Sequence, residues 1–383
     1  MKFTTRCIHG ASKKYDTTGA VSVPIFQTAT FTHYGVEKST GFDYTRCENP
    51  TREHLEHSIA NLEEGDSAMA FSSGMAAVAA FMELFSQSDH IIASDDLYGG
   101  TIRLFENISK KNGIKVTQLD TTDISAIKQA IRPETKAIFV ETPTNPMMQV
   151  TDIAAVSELI NSQKVSKEKI IFAVDNTFLT PFFQRPLALG ADIVIHSGTK
   201  YLCGHNDTLA GFLVVKNANL SEKLRFIYKT IGAALSPFDS WLMIRGIKTL
   251  AVRLKRQEET ARKIADWMQN CDNIKAVHYC GLPTHAGYEI SRRQSDGFGG
   301  MISFEVEDAQ TAKRILEKIK LISFAESLGG VESLMTYPYL QTHADVPEKH
   351  RIAKGINEKL LRLSVGLEDA GDLIADIVFA LGE

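Results

Sequence analysis

Two neighbouring runs of sequence decide the fold: KIIFAVDNT at residues 169–177 and ADIVIHSGTKY at residues 191–201. Each contains a short, β-branched apolar segment that predicts a buried parallel strand, and Asp175 and Lys200 follow these segments. Groups just past the carboxyl ends of such strands line the ligand crevice of an open α/β sheet, so both residues are expected to face one site. The alternative is a turn-forming aspartate and a solvated surface lysine.

An acid and an amine at one site match the needs of an aldehyde cofactor with a basic ring nitrogen. Lys200 would bond covalently to the aldehyde carbon, as a catalytic amine. Asp175 would keep the ring nitrogen protonated, so that the ring can accept the electrons of a carbanion.

The composition narrows the class of function. The chain has 383 residues, 44% of them hydrophobic, and a formal net charge of −4. A large core is therefore expected, with small molecules rather than nucleic acid or an anionic membrane as partners. The five cysteines are scattered without a C-x-x-C pair, which predicts a reducing compartment. Because no apolar run resembles a signal core or a membrane span, we expect a cytoplasmic protein.

A metal site is an alternative use of the residues around Lys200. His196, Cys203 and His205 lie near it in sequence. No second ligand pair stands at a recognisable spacing, so no metal is expected.

Strand-like and helical segments alternate through the first part of the chain. Apolar strand patterns occur at residues 67–71, 90–93, 115–119, 136–140, 170–174, 192–195 and 211–215. Helical patterns intervene at residues 51–65, 75–85, 101–111, 124–131 and 153–160. This alternation predicts a mainly parallel, seven-stranded sheet covered by helices on both faces.

The remaining segments predict two further parts. Beyond about residue 245 come helices at 249–268, 309–318 and 369–381 and strands at 274–278, 301–306 and 361–365, which indicate a smaller α+β domain. Residues 1–49 are broken by glycine and proline and predict an irregular arm that lies on a partner. We therefore expect an arm at 1–49, a cofactor-binding domain at 50–245 and a C-terminal α+β domain at 246–383.

An anion site is indicated at residues 70–77, where AFSSGMAA runs from a strand into a helix. Small residues here place the backbone N–H groups of Ser73, Gly74 and Met75 at a helix N-terminus, which favours a phosphate group. The hydroxyls of Ser197 and Thr199 can donate to the same anion. Alternatively, Ser73 only caps a core helix.

These motifs, taken together, resemble those of the pyridoxal-phosphate enzymes of cysteine and methionine metabolism, the cystathionine synthases and lyases. The resemblance covers nearly the whole chain and rests on eight motifs in order: YTR with NPTR, SSGM, YGG, ETPTNP, VDNT, SGTKY, AESLGG and LRLSVG. It implies the aspartate-aminotransferase type of fold, pyridoxal phosphate as cofactor and an active dimer that pairs into a homotetramer.

The resemblance also implies roles for residues at the cofactor. Tyr44 and Arg46 would reach across the dimer interface to the phosphate of the neighbouring subunit. Tyr98 would stack on the cofactor ring and assist Lys200 in moving protons, and Asn145 would bond the phenolic oxygen of the ring.

Further residues are implied for the substrate. Arg362 would bind the α-carboxylate as a fork, helped by Ser327. Glu326 and Asp43 are acids that would meet the distal ammonium of cystathionine or of cysteine. Read without the family, Arg362 is a strand-edge charge and Glu326 a solvated loop carboxylate.

Single residues and short segments indicate which reaction of the family this chain catalyses. By the same resemblance, Gly100 occupies the position at which methionine γ-lyases carry a cysteine. The glycine argues against methionine γ-lyase activity. Asp43 resembles the residue that γ-synthases have at this position. The segments at 205–207 and 237–241 resemble those of synthases and O-acylhomoserine thiol-lyases. We therefore predict replacement at Cγ of an O-acylhomoserine by cysteine or sulfide. The alternatives are cystathionine γ-lyase or β-lyase activity and, more remotely, a non-catalytic pyridoxal-phosphate-binding protein. Gly198, where relatives often have alanine, is expected only to loosen the loop before Lys200.

Overall fold

The first sheet of the computed structural model contains seven strands. They are β1 Ser67–Phe71, β2 His90–Ser94, β3 Lys115–Leu119, β4 Thr135–Glu141, β5 Ile171–Asp175, β6 Ile193–Ser197 and β7 Gly211–Val215. Their order is β1-β7-β6-β5-β4-β2-β3, and only β7 runs antiparallel to its neighbours. The predicted mainly parallel, seven-stranded sheet is confirmed. The structure describes residues 1–11, 18–163, 165, 169–342, 344 and 348–382.

Helices cover both faces of this sheet. They are α1 Phe3–His9, α2 Pro50–Glu63, α3 Gly74–Met82, α4 Gly99–Arg103 with a π-helical continuation Leu104–Ser109, α5 Ile124–Ala130, α6 Ile153–Ser162, α7 Thr180–Phe183, α8 Ala218–Ile231 and α9 Pro237–Ile247. Many begin at a side chain that accepts a hydrogen bond from a backbone N–H of the first turn, including Asn49, Ser73, Asp152 and Asn217.

The alternation of side chains along the strands builds a core on each side. Ile193 and Ile195 of β6 pack in one buried cluster with Phe81, whereas Val194 packs in another with Leu254. Since both faces are buried, all strands but the edge strand β3 are continuous apolar runs with polar residues at their ends, whereas β3 is partly exposed and carries Thr117 and Gln118 in its interior.

The second sheet follows in sequence. Its strands are β8 Ile274–His278, β9 Met301–Val306, β10 Ser323–Phe324, β11 Leu334–Thr336 and β12 Leu360–Ser364, in the order β10-β11-β12-β9-β8. All pairs are antiparallel except β10 with β11. The accompanying helices are α10 Leu250–Gln269, α11 Tyr288–Gln294, α12 Ala309–Lys318, α13 Glu348–Ala353 and α14 Ala370–Leu381. The smaller, largely antiparallel sheet is also as predicted.

The structure differs from the sequence-based expectation in several elements. Within the arm expected to be irregular, α1 is helical and packs against α2 and α10. Helix α2 ends at Glu63 and is followed by Glu64 with φ 61°, whereas the sequence pattern extended to Gly65. The expected limit between residues 245 and 246 falls within α9, and the three-part division remains a prediction. None of the helices in the described part of the chain is long and apolar enough to cross a bilayer.

Candidate active site

Asp175 and Lys200 lie at the carboxyl edge of the first sheet, where two neighbouring parallel strands end. Asp175 is the last residue of β5, and Lys200 follows the end of β6 by three residues. Both line one cavity, together with Ser73, Gly74, Met75, Val78, Tyr98, Thr101, Glu141, Asn145, Thr177, Phe178, Ser197, Thr199, Leu209 and Leu328. The expected convergence of acid and amine is therefore observed, at the place that strand topology predicts.

Asp175 is held by the residue two positions further on. The backbone N–H and the hydroxyl of Thr177 donate to Asp175 Oδ1 over 3.0 and 2.6 Å. Thr177 Oγ1 also accepts from the backbone N–H of Ser197 at 2.9 Å, which ties the ends of β5 and β6 together. Burial raises the pKa of Asp175, while the bonds from Thr177 and the charge of His196 act in the opposite direction.

Lys200 is held by Ser327, which lies 127 positions further along the chain. Its Nζ donates to Ser327 Oγ over 2.8 Å. Burial, and then the positive charge of Arg362, lower the pKa of Lys200 to about 8, while Glu326 acts to raise it. Ser327 has φ 95°, a left-handed conformation that non-glycine residues adopt rarely and that is common at functional sites.

The expected anion seat lies at the N-terminus of α3. Ser73 Oγ accepts from the backbone N–H of Ala76 at 3.1 Å, so the hydroxyl hydrogen remains available for an anion. The backbone packs closely here, since a Cβ at Gly74 would lie 3.0 Å from Ser197 Cβ and one at Gly211 would lie 2.0 Å from the carbonyl oxygen of Ser73. Thr199 also lines the cavity, and its hydroxyl accepts from the N–H of Ala210 at 3.1 Å.

Arg362 is a buried arginine on β12 of the second sheet, which does not itself line the cavity but contacts Asn145, which does. It donates to Asn145 Oδ1 at 2.7 Å, to the carbonyl oxygen of Ser327 at 2.9 Å and to Thr336 Oγ1 at 3.1 Å. Its Nε is buried without a partner among the described residues. Burial lowers the pKa of Arg362 to about 10, so it remains a cation at neutral pH. A buried cation with a spare donor fits a ligand carboxylate.

Tyr98 lies at the mouth of the cavity, where α4 begins. Its backbone N–H donates to Glu141 Oε2 at 3.1 Å, and its ring remains 42% exposed, available for stacking on a ligand. A Cβ at Gly100 would lie 2.5 Å from Cε1 of the tyrosine ring and 3.0 Å from Met75 Sδ. A cysteine at position 100 therefore does not fit beside the tyrosine in this arrangement.

A wider cleft adjoins the cavity and shares Thr199 and Leu209 with it. Glu326 lies on its wall with Ser327, and so do Ser72, Thr199, Asn206, Asp207, Thr208, Leu209, Ala234, Leu235, Ser236, Asp239, Ala325 and Leu334. The charge of Glu326 acts on both Lys200 and Arg362. The cleft thus contains an acid and Ser327, the residue that bonds both to Lys200 and to Arg362.

The three predicted site residues of the N-terminal arm, Tyr44, Arg46 and Asp43, lie outside the cavity of their own chain. Arg46 stacks 5.5 Å above the ring of Tyr44 and donates to the carbonyl oxygen of Lys229. Asp43 Oδ1 accepts from Ser39 Oγ at 2.7 Å and lies 2.9 Å from His33 Nε2. None of the three lines the cavity or the cleft, and their roles across an interface remain predictions.

Several residues at the site were not singled out from the sequence. Thr177 stands in the VDNT motif, and its spacing from Asp175 is that of an Asx-type turn, which could have indicated its contact. Thr336 lies on a three-residue strand that is too short for its pattern to be read. Gly198 was expected only to loosen its loop, but a Cβ there would lie 2.5 Å from Phe212 Cε2 and 2.9 Å from Ala210 Cβ. Close packing is therefore the reason for glycine.

The groups around the cavity fit the cofactor predicted from the sequence. The helix N-terminus with the Ser73 and Ser197 hydroxyls suits a phosphate monoester, Asp175 suits a protonated ring nitrogen, and Lys200 suits an aldehyde. The unpartnered Nε of Arg362 leaves a donor for an amino-acid carboxylate.

Comparisons with known proteins agree with this arrangement. Residues 4–382 match the family described as Cys/Met metabolism PLP-dependent enzyme. The chain is 47% identical over 377 residues to a cystathionine gamma-synthase of Haemophilus influenzae, covering 98% of this chain and 96% of that protein. It is 46% identical over 377 residues to a cystathionine beta-lyase of Lactococcus lactis subsp. cremoris, covering 98% of each chain.

A solved structure extends the comparison to the fold. The crystal structure of cystathionine gamma-lyase from Lactobacillus plantarum complexed with L-serine superposes with a TM-score of 0.95 at 42% identity, covering 100% of this chain and 99% of that one. The relatives thus include synthases, γ-lyases and β-lyases. The chain belongs to the Cys/Met metabolism family of pyridoxal-phosphate-dependent enzymes, and it is a transsulfuration enzyme that uses this cofactor.

Proposed function

We propose that the enzyme catalyses replacement at Cγ, in which an O-acylhomoserine loses its acyloxy group and cysteine or sulfide takes its place. The observation that carries the proposal is the position of Glu326 in a cleft whose wall also contains Ser327, the residue to which Lys200 donates a hydrogen bond. A carboxylate there is placed to receive the ammonium group of cysteine, while the adjoining cavity holds the first substrate.

The two sequence segments that resemble synthases support the same reaction. Asn206 and Asp207 belong to the first segment and Asp239 to the second, and all three line the cleft. Asp239 is oriented by Thr208 Oγ1 and Ser236 Oγ, each at 2.7 Å. The residues by which the chain resembles synthases thus lie where a second amino-acid substrate would approach.

The roles of the residues follow from their contacts. Arg362 would bind the α-carboxylate, since its guanidinium is buried, fixed by three acceptors and retains a free Nε. Pyridoxal phosphate, when bound, supplies an electron sink for the carbanion at Cα. Lys200 would take the proton from Cα and return it, because a pKa of about 8 leaves a usable fraction of neutral amine at neutral pH. Ser327 would hold the amine in place, and Tyr98 would cover the ring.

Cystathionine cleavage is the second candidate. Glu326 would receive the distal ammonium of cystathionine as well as that of free cysteine, and relatives named cystathionine lyases match the whole chain. The two reactions share the proposed step at Cα. They differ in the group that leaves, an acyloxy group from Cγ or a thiol from Cγ or Cβ, and in whether a thiol then adds at Cγ.

Product analysis separates the candidates. The holoenzyme is supplied with O-acetylhomoserine or O-succinylhomoserine plus cysteine, and in parallel with cystathionine alone, and kcat/KM is measured for each. We expect the acyl donor with cysteine to react faster and to yield cystathionine. A higher kcat/KM for cystathionine alone, with release of cysteine or homocysteine, would reverse the order of the two candidates.

A variant tests the part assigned to Glu326. Because sulfide carries no ammonium group, Glu326→Gln should raise the KM for cysteine while leaving the KM for sulfide close to its original value. Glu317→Gln, an exposed glutamate on α12, serves as the control. Equal effects on cysteine and sulfide would remove Glu326 from ammonium binding.

Assembly and location are proposed on the same basis. A dimer, paired into a homotetramer, would give Tyr44, Arg46 and Asp43 a site on the neighbouring subunit. What supports this is their position outside the cavity of their own chain and the 46% exposure of Tyr44. We place the enzyme in the cytoplasm, in keeping with its small amino-acid substrates and five cysteines that form no disulfide within the structure.

A further inference from the structure

Glu141 lies beside Asp175 at the floor of the cavity, although the sequence assigns it no role. The two residues end neighbouring parallel strands and are partners in register, Glu141 on β4 and Asp175 on β5. Both line the cavity, and Glu141 is only 7% exposed. Two carboxyl groups therefore face one cavity, that of Glu141 buried and that of Asp175 partly buried.

No cation forms an ion pair with either carboxyl group in the described part of the chain. The guanidinium of Arg362 acts on Glu141 through its charge, but its donors are directed to Asn145, Ser327 and Thr336. Two adjacent, desolvated carboxylates cannot both remain ionised without such a partner, because each anion raises the energy of the other. One of the two must keep a proton.

The surroundings decide which carboxyl group keeps the proton. Asp175 accepts two hydrogen bonds from Thr177, and the charge of His196 also favours its anion. Glu141 accepts one, from the backbone N–H of Tyr98. Burial, and then repulsion from Asp175, raise the pKa of Glu141 well above its ordinary value.

The other charged groups around Glu141 do not reverse this order. Asp96 is buried nearby and adds repulsion, whereas Arg362 favours the anion less strongly. Burial raises the pKa of Asp96 itself to about 6, so Asp96 is mostly ionised at pH 8. Glu141 therefore lies between two carboxylates that are easier to ionise.

We propose that Glu141 is a positioning residue that works as a neutral carboxylic acid, so that Asp175 alone carries the negative charge opposite the cofactor ring nitrogen. One of its oxygens fixes the start of α4 through the N–H of Tyr98, which orients the tyrosine at the cavity mouth. The proton keeps a second negative charge away from the ring. This role is the same for γ-replacement and for cystathionine cleavage, so it does not depend on which of them the enzyme catalyses.

Isosteric substitutions of the two carboxyl groups test the proposal by binding rather than turnover. Glutamine resembles a protonated glutamate, so apoprotein with Glu141→Gln should bind pyridoxal phosphate within about 3-fold of the original dissociation constant. Asp175→Asn removes the proposed anion and should weaken binding by roughly 30-fold or more. A loss in Glu141→Gln as large as that in Asp175→Asn would overturn the proposal.

Infrared spectroscopy of the apoprotein measures the proton directly. At pH 8 the difference spectrum between the original protein and Glu141→Gln should contain the carbonyl stretch of one protonated carboxylic acid. Asp96→Asn should leave this band in place, because Asp96 is ionised at that pH. Absence of the band, or its loss in Asp96→Asn with retention in Glu141→Gln, would contradict the assignment.

Discussion

Lys200 and Ser327, 127 positions apart in sequence, are joined by a hydrogen bond of 2.8 Å from the lysine Nζ to the serine Oγ. The same serine offers its carbonyl oxygen to Arg362 at 2.9 Å, and its backbone adopts φ 95°. One strained residue therefore connects the amine of the first sheet to the arginine of the second.

Removing this hydroxyl should affect turnover more than cofactor binding. We expect Ser327→Ala to bind pyridoxal phosphate normally but to lower kcat roughly 10- to 100-fold, since the amine loses its fixed position while remaining a base. Ser327→Gly also lacks the hydroxyl, but glycine accommodates the positive φ. Its free energy of unfolding should therefore be about 1 kcal/mol higher than that of Ser327→Ala. Single-turnover kinetics and thermal unfolding measure the two effects. An unchanged kcat in both variants would show that the tether has no role.

The reactivity of Lys200 should depend on pH with a midpoint near 8. Capture of an aldehyde requires the neutral amine, so the rate at which apoprotein binds pyridoxal phosphate covalently should rise with pH through the lysine's pKa of about 8. Glu326 raises this pKa and Arg362 lowers it. Glu326→Gln should therefore move the midpoint below 8, and Arg362→Gln should move it above 8, as measured by stopped-flow absorbance. Shifts of the same sign in both variants would contradict the electrostatic account.

Arg362 should not be replaceable by lysine. Arg362→Lys keeps a charge but loses the planar fork, and we expect kcat/KM for amino-acid substrates to fall about 100-fold. Thr336→Val removes one neutral acceptor of the guanidinium and should lower kcat/KM only about 3- to 10-fold. Arg256→Lys, a partly exposed arginine on α10, is the control and should behave as the original enzyme. Equal losses of kcat/KM in Arg362→Lys and Thr336→Val would contradict the role given to the planar guanidinium in carboxylate binding.

Gly198 should resist substitution by alanine for reasons of packing. The added Cβ would meet Phe212 Cε2 at 2.5 Å, and such overpacking destabilises a protein by about 1–3 kcal/mol. Phe212→Leu should recover part of this loss in the double variant, because the two sites share the same space. Denaturant unfolding of the four proteins gives the coupling free energy. Strict additivity would rule out the clash.

Mixed oligomers test the part assigned to the N-terminal arm. If Arg46 serves the neighbouring subunit, Arg46→Ala and Lys200→Ala are each inactive, but a hybrid dimer has one site that carries neither change. Random reassembly of equal amounts should then restore about a quarter of the original activity. Native mass spectrometry of the two variants, one of them carrying a tag of different mass, shows whether subunits exchange. Failure to recover activity despite exchange would place Arg46 at its own subunit's site.

The fold could be predicted largely because its strands are buried on both faces. Short apolar runs such as the one that ends at Asp175 are typical of buried strands. The ends of the seven predicted strands agree with the observed ones within two residues. Helix α8 was missed although Leu220, Leu224, Ile227 and Tyr228 recur at helical spacing and pack against the core, so this miss was not imposed by the sequence. Strands β10 and β11 were missed because two or three residues carry no period.

The candidate site was predictable where motifs follow strand ends, as for Asp175 and Lys200. Contacts such as Arg362 with Thr336 depend on how the second sheet is paired, which no local pattern encodes. The protonation of Glu141 depends on the register between β4 and β5. The positions of Tyr44 and Arg46 depend on a neighbouring chain, so a single sequence indicates them only by resemblance.

The three acceptors that hold Arg362 have a consequence for selectivity. A guanidinium that is already immobile before any amino acid arrives loses little conformational entropy on binding, so more of the interaction energy is expressed as affinity. The same rigidity penalises ligands whose carboxylate is displaced or absent, because the arginine cannot follow them. Amines and shorter acids should therefore be rejected at the first encounter, before any bond is broken.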